Sequence, residues 1–180
     1  MKIKGGMEEM KLSTVSSDKK LLIVGAGQYG MLAKEIAESM NCFGQIDFLD
    51  DNNPIAVGKI SRYEDFVSEY KNAIVAIGNS AFRLELTEKL RNAGYSIATI
   101  VSPLAYVSHS AVLNEGCIVE AMAVVNTEAN INECCFISAG AVVNHNSIIG
   151  DGCHIDCHAT VKSNATIKNC TKVEYGQVAG

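Results

Sequence analysis

His145 stands between two asparagines, in the polar triplet Asn144-His145-Asn146 that follows a pair of valines. An imidazole titrates near neutral pH, so a histidine that faces solvent can accept a proton from a substrate. This triplet occupies a turn in the repeat described below, and the ring is therefore expected to face solvent or a neighbouring subunit. Such a histidine is suited to act as a general base, and the alternative is an exposed histidine without a catalytic role.

Four residues just downstream carry side chains that zinc prefers, namely Cys153, His154, Cys157 and His158. Successive residues of an extended segment point to opposite sides, so Cys153 and His154 cannot face the same ion. We therefore predict no metal site. The chain contains 7 cysteines, an odd number, which favours reduced thiols over a disulfide framework.

A second group of candidate residues lies near the start of the chain. The turn Gly25-Ala26-Gly27-Gln28-Tyr29-Gly30 joins a predicted strand over 20–24 to a predicted helix over 31–40. The next predicted strand, 45–49, ends at Asp50-Asp51. A glycine turn of this kind can hold phosphates at the helix N-terminus, with the acidic residue on a ribose hydroxyl. Glycines chosen for packing alone are the alternative.

The same alternation of strand and helix continues to about residue 101. A strand over 73–77 ends at Gly78-Asn79, a helix covers 82–93, and a strand over 96–101 follows. Such alternation predicts a parallel sheet that binds its ligand at the carboxyl ends of the strands. The segment has only about half the length of a dinucleotide fold. A mononucleotide or nucleotide-sugar site is therefore favoured over a nicotinamide site.

The remaining sequence repeats every six residues. The first register is aliphatic at every position from Val101 to Val173: Val101, Val107, Leu113, Val119, Val125, Ile131, Ile137, Val143, Ile149, Ile155, Val161, Ile167 and Val173. Two residues before each aliphatic stands a small side chain, as in Ala105, Cys117 and Ala141. Residues i and i−2 share one side of an extended segment, so both registers face inward. A period of six predicts a parallel β-helix whose coils bury this apolar row by stacking.

These patterns predict a flexible tail over 1–19, a Rossmann-like α/β half-domain over 20–98 and a β-helix over 99–180. The net charge of −5 argues against nucleic-acid binding, which needs clustered Lys and Arg. Apolar runs are far shorter than the ~20 residues of a membrane span, and no signal peptide is recognisable. The sequence therefore predicts a cytoplasmic protein without membrane insertion.

This combination resembles the bacterial sugar O-/N-acyltransferases, which join a nucleotide-binding α/β domain to a left-handed hexapeptide β-helix. Several motifs carry the resemblance: the Gly25–Gly30 turn, Leu49-Asp50-Asp51, Ala76-Ile77-Gly78-Asn79 with Arg83, and Val143-Asn144-His145-Asn146 with Ile149-Gly150-Asp151. The resemblance implies a homotrimer that acetylates a nucleotide-linked amino sugar in surface glycan synthesis. It further implies UDP as the nucleotide and acetyl-CoA as the cosubstrate. A sialic-acid-type O-acetyltransferase and a weakly catalytic trimeric scaffold are the alternatives.

The resemblance also implies roles for single residues. His145 would be the catalytic base, with Asn146 where the family usually carries an acidic residue. His154 and Ser163 would contact acetyl-CoA. The nucleotide sugar would bind Gly25, Gly27, Tyr29, Gly30, Asp50, Asp51, Asn79 and Arg83. The family usually has histidine at the Tyr29 position and adds further coils after the fourth, so we expect a short member or a shortened C-terminus.

Overall fold

The computed structural model describes residues 18–180. The tail predicted for 1–19 therefore lies outside the described residues, apart from its last two positions. From Lys20 onward the chain folds first into a small α/β domain and then into a continuous series of short strands.

The α/β domain is a four-stranded parallel sheet with strand order β2-β1-β3-β4. Its strands are β1 Lys20–Val24, β2 Gln45–Leu49, β3 Asn72–Val75 and β4 Ser96–Ile97. Its helices are α1 Gln28–Ser39, a 3₁₀ helix Ile60–Phe66 and α2 Ser80–Asn92. The strand order reverses between β1 and β3, and the carboxyl ends at such a switch point are where open α/β sheets bind ligands.

The sheet domain follows the predicted order of elements, with three differences. Helix α1 begins at Gln28, inside the glycine turn, because Gly30 already accepts helical geometry there. The 3₁₀ helix Ile60–Phe66 was not predicted from the sequence. The predicted strand over 96–101 is two strands, because Ile97 ends the sheet while Ile100–Val101 begins the β-helix.

Gly30 is the point of closest approach between α1 and the turn that precedes it. A Cβ placed on Gly30 would lie 2.0 Å from the carbonyl oxygen of Gly25, which no side chain can occupy. Gly25 itself has a φ of 102°, a left-handed conformation that favours glycine. Gly27 differs from both, because a Cβ there would meet no atom within 4 Å. Gly25 and Gly30 thus form the turn, and Gly27 faces open space.

The second domain is a parallel β-helix of fourteen two-residue strands, β5 to β18. They are Ile100–Val101, Tyr106–Val107, Val112–Leu113, Ile118–Val119, Val124–Val125, Asn130–Ile131, Phe136–Ile137, Val142–Val143, Ile148–Ile149, His154–Ile155, Thr160–Val161, Thr166–Ile167, Lys172–Val173 and Val178–Ala179. Each strand pairs with the strand eighteen residues further on, as Phe136 does with His154. Three sheets result, ordered β17-β14-β11-β8-β5, β18-β15-β12-β9-β6 and β16-β13-β10-β7.

The three sheets enclose a three-sided prism. Its interior contains the side chains of the two predicted registers. Val119, Ile137 and Ile155 are fully buried, as are the small residues that precede them, Cys117, Cys135 and Cys153. All seven cysteines are thiols. Non-glycine residues at several corners take left-handed backbone angles, among them Asn146 with a φ of 59°. Aliphatic and small side chains alternate in one continuous core, as the six-residue period predicted.

The sheet domain covers one face of the prism. The outward side chains of that face, Ile100, Ile118 and Phe136, are buried in one cluster with residues of α1 and the sheet. Outward side chains on the other two faces are far more open, with Tyr106 58% and Ile148 45% exposed. The domain therefore leaves two faces and the edge between them uncovered.

Arg83 fastens α2 to the β-helix and is completely buried. Its Nε donates to the carbonyl oxygen of Cys134 at 2.9 Å and its Nη2 to that of Gly152 at 2.9 Å. Its Nη1 donates to Ile77 O at 2.6 Å, and the guanidinium carbon lies 3.9 Å from the centre of the Phe136 ring. The prediction that Arg83 binds the nucleotide sugar is wrong, because all three guanidinium nitrogens already donate hydrogen bonds to carbonyl oxygens of the protein.

A second cation on α2 strengthens the same contact at the surface. Arg91 pairs with Glu133 at 2.8 Å and with Glu115 at 3.2 Å, and these two glutamates occupy the same corner position in successive coils. These hydrogen bonds raise the pKa of Arg91, with the bond to Glu133 as the largest contribution. Because partly exposed ion pairs contribute little singly, Arg83 remains the main polar link between the domains.

No helix within residues 18–180 combines the length and the apolar character needed to traverse a bilayer.

The close contact at Gly30 predicts that alanine lowers the free energy of unfolding more at Gly30 than at Gly27. Gly30→Ala should lower the free energy of unfolding by about 2 kcal/mol or more, because the turn must move away from the new methyl group. Gly27→Ala, the matched control, should cost less than about 1 kcal/mol, since its side chain enters open space. Chemical denaturation of both variants measures the difference, and equal stabilities would contradict the packing described here.

The burial of its guanidinium predicts that Arg83 stabilises the folded protein. Arg83→Met should lower the free energy of unfolding by about 3 kcal/mol, because the carbonyls of two domains lose their donor. The control Arg62→Met removes an exposed ion pair with Asp65 and should change stability by less than about 1 kcal/mol. If Arg83→Met were as stable as the parent and had lost only nucleotide affinity, the original prediction for Arg83 would be restored.

Candidate active site

The carboxyl ends of β1 and β2 border an open crevice of about 460 Å³. Its lining consists of Ala26, Gly27, Asp50, Asn52, Asn53 and Pro54. Gly27 is the N-cap of α1 and supplies no side-chain cap, so the first backbone N–H groups of the helix remain available. Free N–H groups at a helix N-terminus, together with the helix dipole, attract phosphate. The crevice therefore has the shape and polarity to hold a nucleotide.

The Asp50 carboxylate holds this crevice together. It accepts hydrogen bonds from the backbone N–H groups of Ala26 at 2.8 Å, Asn52 at 2.8 Å and Asn53 at 2.9 Å. The bond from Ala26 is the largest of the effects that lower the pKa of Asp50. Asp50 was predicted to accept from base or ribose donors, but the structure shows it engaged with the backbone of the turn.

Two other predicted nucleotide ligands also have partners inside the domain. One carboxylate oxygen of Asp51 accepts from Ile60 N at 3.1 Å, and the side chain remains exposed. The Asn79 side chain caps α2 by accepting from Phe82 N at 3.0 Å. Of the two neighbouring aspartates, Asp50 and Asp51, Asp51 is thus the one with a carboxylate oxygen facing solvent. Asn79 has a structural role as the cap of α2.

Tyr29 and His154 meet between α1 and the covered face of the β-helix. Their ring centroids are 5.6 Å apart in an edge-on arrangement, and Tyr29 lies 5.3 Å from Phe136. A hydrogen bond of 3.0 Å joins His154 Nε2 to Ser138 Oγ. His154 points outward from its coil but is only 5% exposed, because the sheet domain covers it. The predicted contact of His154 with acetyl-CoA remains a prediction.

A small crevice of about 220 Å³ opens beside this pair of rings. Its lining includes two carboxyl groups on the β-helix, those of Glu120 and Asp156, together with Tyr29, Ser138 and Tyr175. Glu120 accepts from the backbone N–H of Ala139 at 3.0 Å. Both acids are nearly buried, and the crevice is therefore acidic.

The titratable groups of the acidic crevice have shifted pKa values. Burial raises the pKa of Glu120 and lowers that of His154, so both favour their neutral forms. Burial alone would also raise the pKa of Asp156, but the N–H of Cys157 and the ammonium of Lys172 lower it overall. Asp156 Oδ2 lies 3.1 Å from Lys172 Nζ, although that oxygen accepts no hydrogen bond of good geometry.

His145 lies at an exposed corner of the prism, as expected for a base that meets its substrate in solution. Its Nδ1 lies 3.1 Å from Asn146 Oδ1. The amide nitrogen of Asn146 donates to Glu128 Oε2 at 2.8 Å, which links the corner to the preceding coil. Ser163 occupies the equivalent corner one coil after His145, and its neighbour Asn164 donates its N–H to His145 O at 3.1 Å.

The topology separates these residues into two groups. His145 lies between β12 and β13, which belong to the two uncovered faces, whereas His154 lies on β14 in the covered face. The first group is therefore His145, Asn146, Glu128 and Ser163 at the uncovered edge. The second comprises the glycine turn, Tyr29, His154 and the acidic crevice. Within one chain the structure does not bring the predicted catalytic and substrate-binding residues together.

The sequence analysis missed Glu120, Ser138, Asp156 and Glu128. Glu120, Ser138 and Asp156 share one corner phase, eighteen residues apart, and this repeat of polar residues was a recognisable signal. Glu128 precedes Asn146 by the same interval. Within residues 18–180, no group of three or more His, Cys, Asp or Glu side chains is arranged to hold a metal ion.

Comparison with known proteins gives a family for the sheet domain. Residues 20–90 match the PglD N-terminal domain. The chain is 29% identical over 109 residues to UDP-N-acetylbacillosamine N-acetyltransferase of Bacillus subtilis (strain 168), a match covering 56% of this chain and 50% of that protein. The chain thus spans about half the length of this curated relative.

Solved structures resemble the whole described chain. The acetyltransferase domain of PglB from Neisseria gonorrhoeae FA1090, in complex with acetyl coenzyme A, is 28% identical with a TM-score of 0.84, covering 89% of this chain and 81% of that one. PerB from Caulobacter crescentus, in complex with CoA and GDP-perosamine, is 21% identical with a TM-score of 0.68, covering 89% and 91%. At that identity PerB supports the fold alone.

Both domains therefore have relatives of one kind, in the same order along the chain. The predicted half-domain is the matched N-terminal domain, and the predicted repeat is the β-helix of the solved neighbours. Residues 20–90 therefore match the PglD N-terminal domain, and the described chain has the fold of solved acetyltransferases, with this α/β domain followed by a parallel β-helix.

Proposed function

We propose that the chain is an acetyl-CoA-dependent acetyltransferase that acts on the amino group of a nucleotide-linked sugar. The observation that carries the proposal is His145, an exposed imidazole held through Nδ1 at an edge of the β-helix. Its other nitrogen, Nε2, is directed away from Asn146 and can accept a proton. The similarity to the PglB domain, whose structure contains acetyl coenzyme A, supports acetyl-CoA as the donor.

The two groups of site residues support a site built from two subunits. The edge that carries His145 is remote from the sheet domain of its own chain, because that domain covers the third face. In a homotrimer, the uncovered edge of one β-helix would approach the acidic crevice of its neighbour. His145 and Ser163 would then come from one chain, and Tyr29 with the nucleotide crevice from the next.

A UDP-linked substrate is supported by the crevice at the α1 N-terminus and by the curated relative, whose name specifies a UDP-sugar. Phosphates would occupy the space in front of Gly27, where no Cβ or capping side chain intervenes. The Asp51 carboxylate and the side-chain amide of Asn52 offer acceptors and a donor for the base or ribose. Asp50 and Arg83 would act indirectly, by maintaining the turn and the domain contact.

The acidic crevice supports N-acetylation over O-acetylation. Asp156, whose pKa is lowered, faces the space next to Tyr29, and its carboxylate favours a basic amine over a neutral hydroxyl. His145 would take a proton from the amine as its nitrogen attacks the thioester carbonyl carbon of acetyl-CoA. The tetrahedral adduct would then collapse: the C–S bond breaks, the new amide remains, and the leaving thiolate takes the proton from His145 to give coenzyme A and the neutral imidazole.

The cellular setting follows from the same proposal. A cytoplasmic location fits a cosubstrate of central metabolism and seven cysteine thiols, which persist in a reducing compartment. The net charge of −5 favours a small-molecule substrate over nucleic acid. A sialic-acid-type O-acetyltransferase and a trimeric scaffold that binds nucleotide sugar without turnover are the alternatives that the kinetic experiment separates.

The proposal predicts that chemistry and binding respond to different residues. His145→Ala should lower kcat by about 10² to 10⁴ while leaving the affinity for a UDP-4-amino sugar nearly unchanged. Asp51→Ala should weaken that affinity by about 1.5 to 3 kcal/mol, the value of a hydrogen bond to a charged group, with a smaller effect on kcat. A thiol-release assay measures turnover, and calorimetry measures binding.

Other results of the turnover and binding measurements would favour one of the alternatives. Turnover by His145→Ala equal to the parent would remove His145 from the mechanism. Release of coenzyme A only with a sialic-type acceptor would favour the O-acetyltransferase. Tight UDP-sugar binding with no turnover on any amino or hydroxyl acceptor would favour the scaffold, and tight binding of NAD alone would restore the dinucleotide interpretation.

The uncovered apolar side chains predict a trimer formed through the β-helix. Val112 is 51%, Ile148 45% and Val178 64% exposed, a set that isolated monomers seldom leave in contact with water. Light scattering should therefore give three times the chain mass at micromolar concentration, and Ile148→Glu should shift the protein toward monomer. Ile55→Glu, an equally exposed apolar position in the sheet domain, is the control. A stable monomeric parent would contradict the shared site.

A further inference from the structure

Glu128 is linked to His145 through the side chain of Asn146. Glu128 and Asn146 occupy the same corner of successive coils, both with left-handed φ values, 56° and 59°. The backbone N–H of Asn146 donates to Thr127 O at 3.0 Å, which fixes the spacing of the two corners. The Asn146 amide then joins Glu128 Oε2 at 2.8 Å to His145 Nδ1 at 3.1 Å.

The carboxylate decides how the amide is oriented. An ionised carboxylate can only accept hydrogen bonds, so the NH₂ group of Asn146 must face Glu128. The carbonyl oxygen Oδ1 of Asn146 must then face the imidazole. An amide between two neutral partners could be turned either way, but a charged acceptor on one side removes that freedom.

The orientation of the amide in turn decides which nitrogen of His145 carries the proton. Because Oδ1 of Asn146 is an acceptor only, Nδ1 must be the donor, and the neutral imidazole is the Nδ1–H tautomer. Free imidazole side chains favour the opposite Nε2–H tautomer in water. Held in this way, His145 presents a bare Nε2 lone pair to whatever approaches the edge.

We propose that Glu128 is a positioning residue that sets the tautomer of His145 through Asn146, so that Nε2 serves as the proton acceptor of the reaction. Asn146 carries no charge of its own, and Glu128 supplies one from the preceding coil. When His145 becomes protonated, its Nδ1–H donates to an amide that the carboxylate polarises, which stabilises the charged ring. The catalytic part of this inference rests on the function proposed above, whereas the tautomer does not.

Long-range ¹H–¹⁵N NMR on protein labelled at its 4 histidines reads the tautomer directly, at a pH high enough for neutral imidazole rings. A His145→Gln sample assigns the signal. The parent should show His145 as Nδ1–H. Glu128→Lys should turn the amide around, present its NH₂ to Nδ1 and shift the ring to Nε2–H. Glu128→Gln, a neutral partner that can accept or donate, should leave the amide free to turn and give a mixture of the two tautomers.

Kinetics on the same samples tests the consequence. Glu128→Lys should lower kcat at least about tenfold with KM nearly unchanged, since only the state of the base differs. Glu128→Gln should give a kcat between those of the parent and Glu128→Lys, because only part of the molecules hold the Nδ1–H tautomer. Glu64→Lys, the same charge reversal at an exposed position in the sheet domain, should leave both the tautomer and kcat unchanged.

A further variant covers the case in which Glu128→Lys does not fold. Asn146→Gly removes the bridging amide and tolerates the left-handed backbone, so it should return His145 to the Nε2–H tautomer. An Nε2–H ring in the parent, or an Nδ1–H ring in both Glu128→Lys and Asn146→Gly, would overturn the proposal. If the parent shows no turnover with any acceptor, the proposed function fails, and the NMR result still decides the role of Glu128.

Discussion

The eighteen-residue coil is the constraint on which the rest of the structure depends. Each strand pairs with the strand one coil away, so residues eighteen positions apart become neighbours although the sequence separates them. The same interval stacks the apolar core, aligns Glu115 with Glu133 beneath Arg91, and places Glu128 beside Asn146. Because the backbone ladder fixes this spacing, side chains at a corner hold their relative positions without a core of their own.

The docking of the sheet domain gives the symmetric prism one covered and two open faces. Arg83 donates to carbonyl groups of both domains and stacks on Phe136, so the contact combines hydrogen bonds with apolar burial. The same contact buries His154 and partly covers Tyr29. One consequence is that the Asp50 crevice and the acidic crevice lie apart from the edge that carries His145. Under the proposed function, these parts form one site only when two chains come together.

The sequence was informative wherever a residue's role follows from periodicity. The inward registers, the parallel sheet and the corner position of His145 could all be predicted because backbone geometry alone determines them. Roles that depend on docking could not. Arg83 follows a Gly-Asn pair at a strand end, which is typical of an anion ligand, yet the orientation of α2 on the prism buries it. The repeat makes His154 point outward, away from Cys153, but the chain's sequence does not reveal that the sheet domain covers it. Glu128 could have been found by examining position i−18 from Asn146.

The proposed function requires a base at the edge of one β-helix to meet a nucleotide sugar held by the neighbouring chain. A crystal structure with coenzyme A and a UDP-4-amino sugar shows whether they meet. We expect the nucleotide at the α1 N-terminus of one chain and the sugar amine within about 3 Å of Nε2 of His145 from the neighbouring chain. A sugar bound away from the glycine turn, or an amine separated from His145 by more than one water molecule, would contradict it.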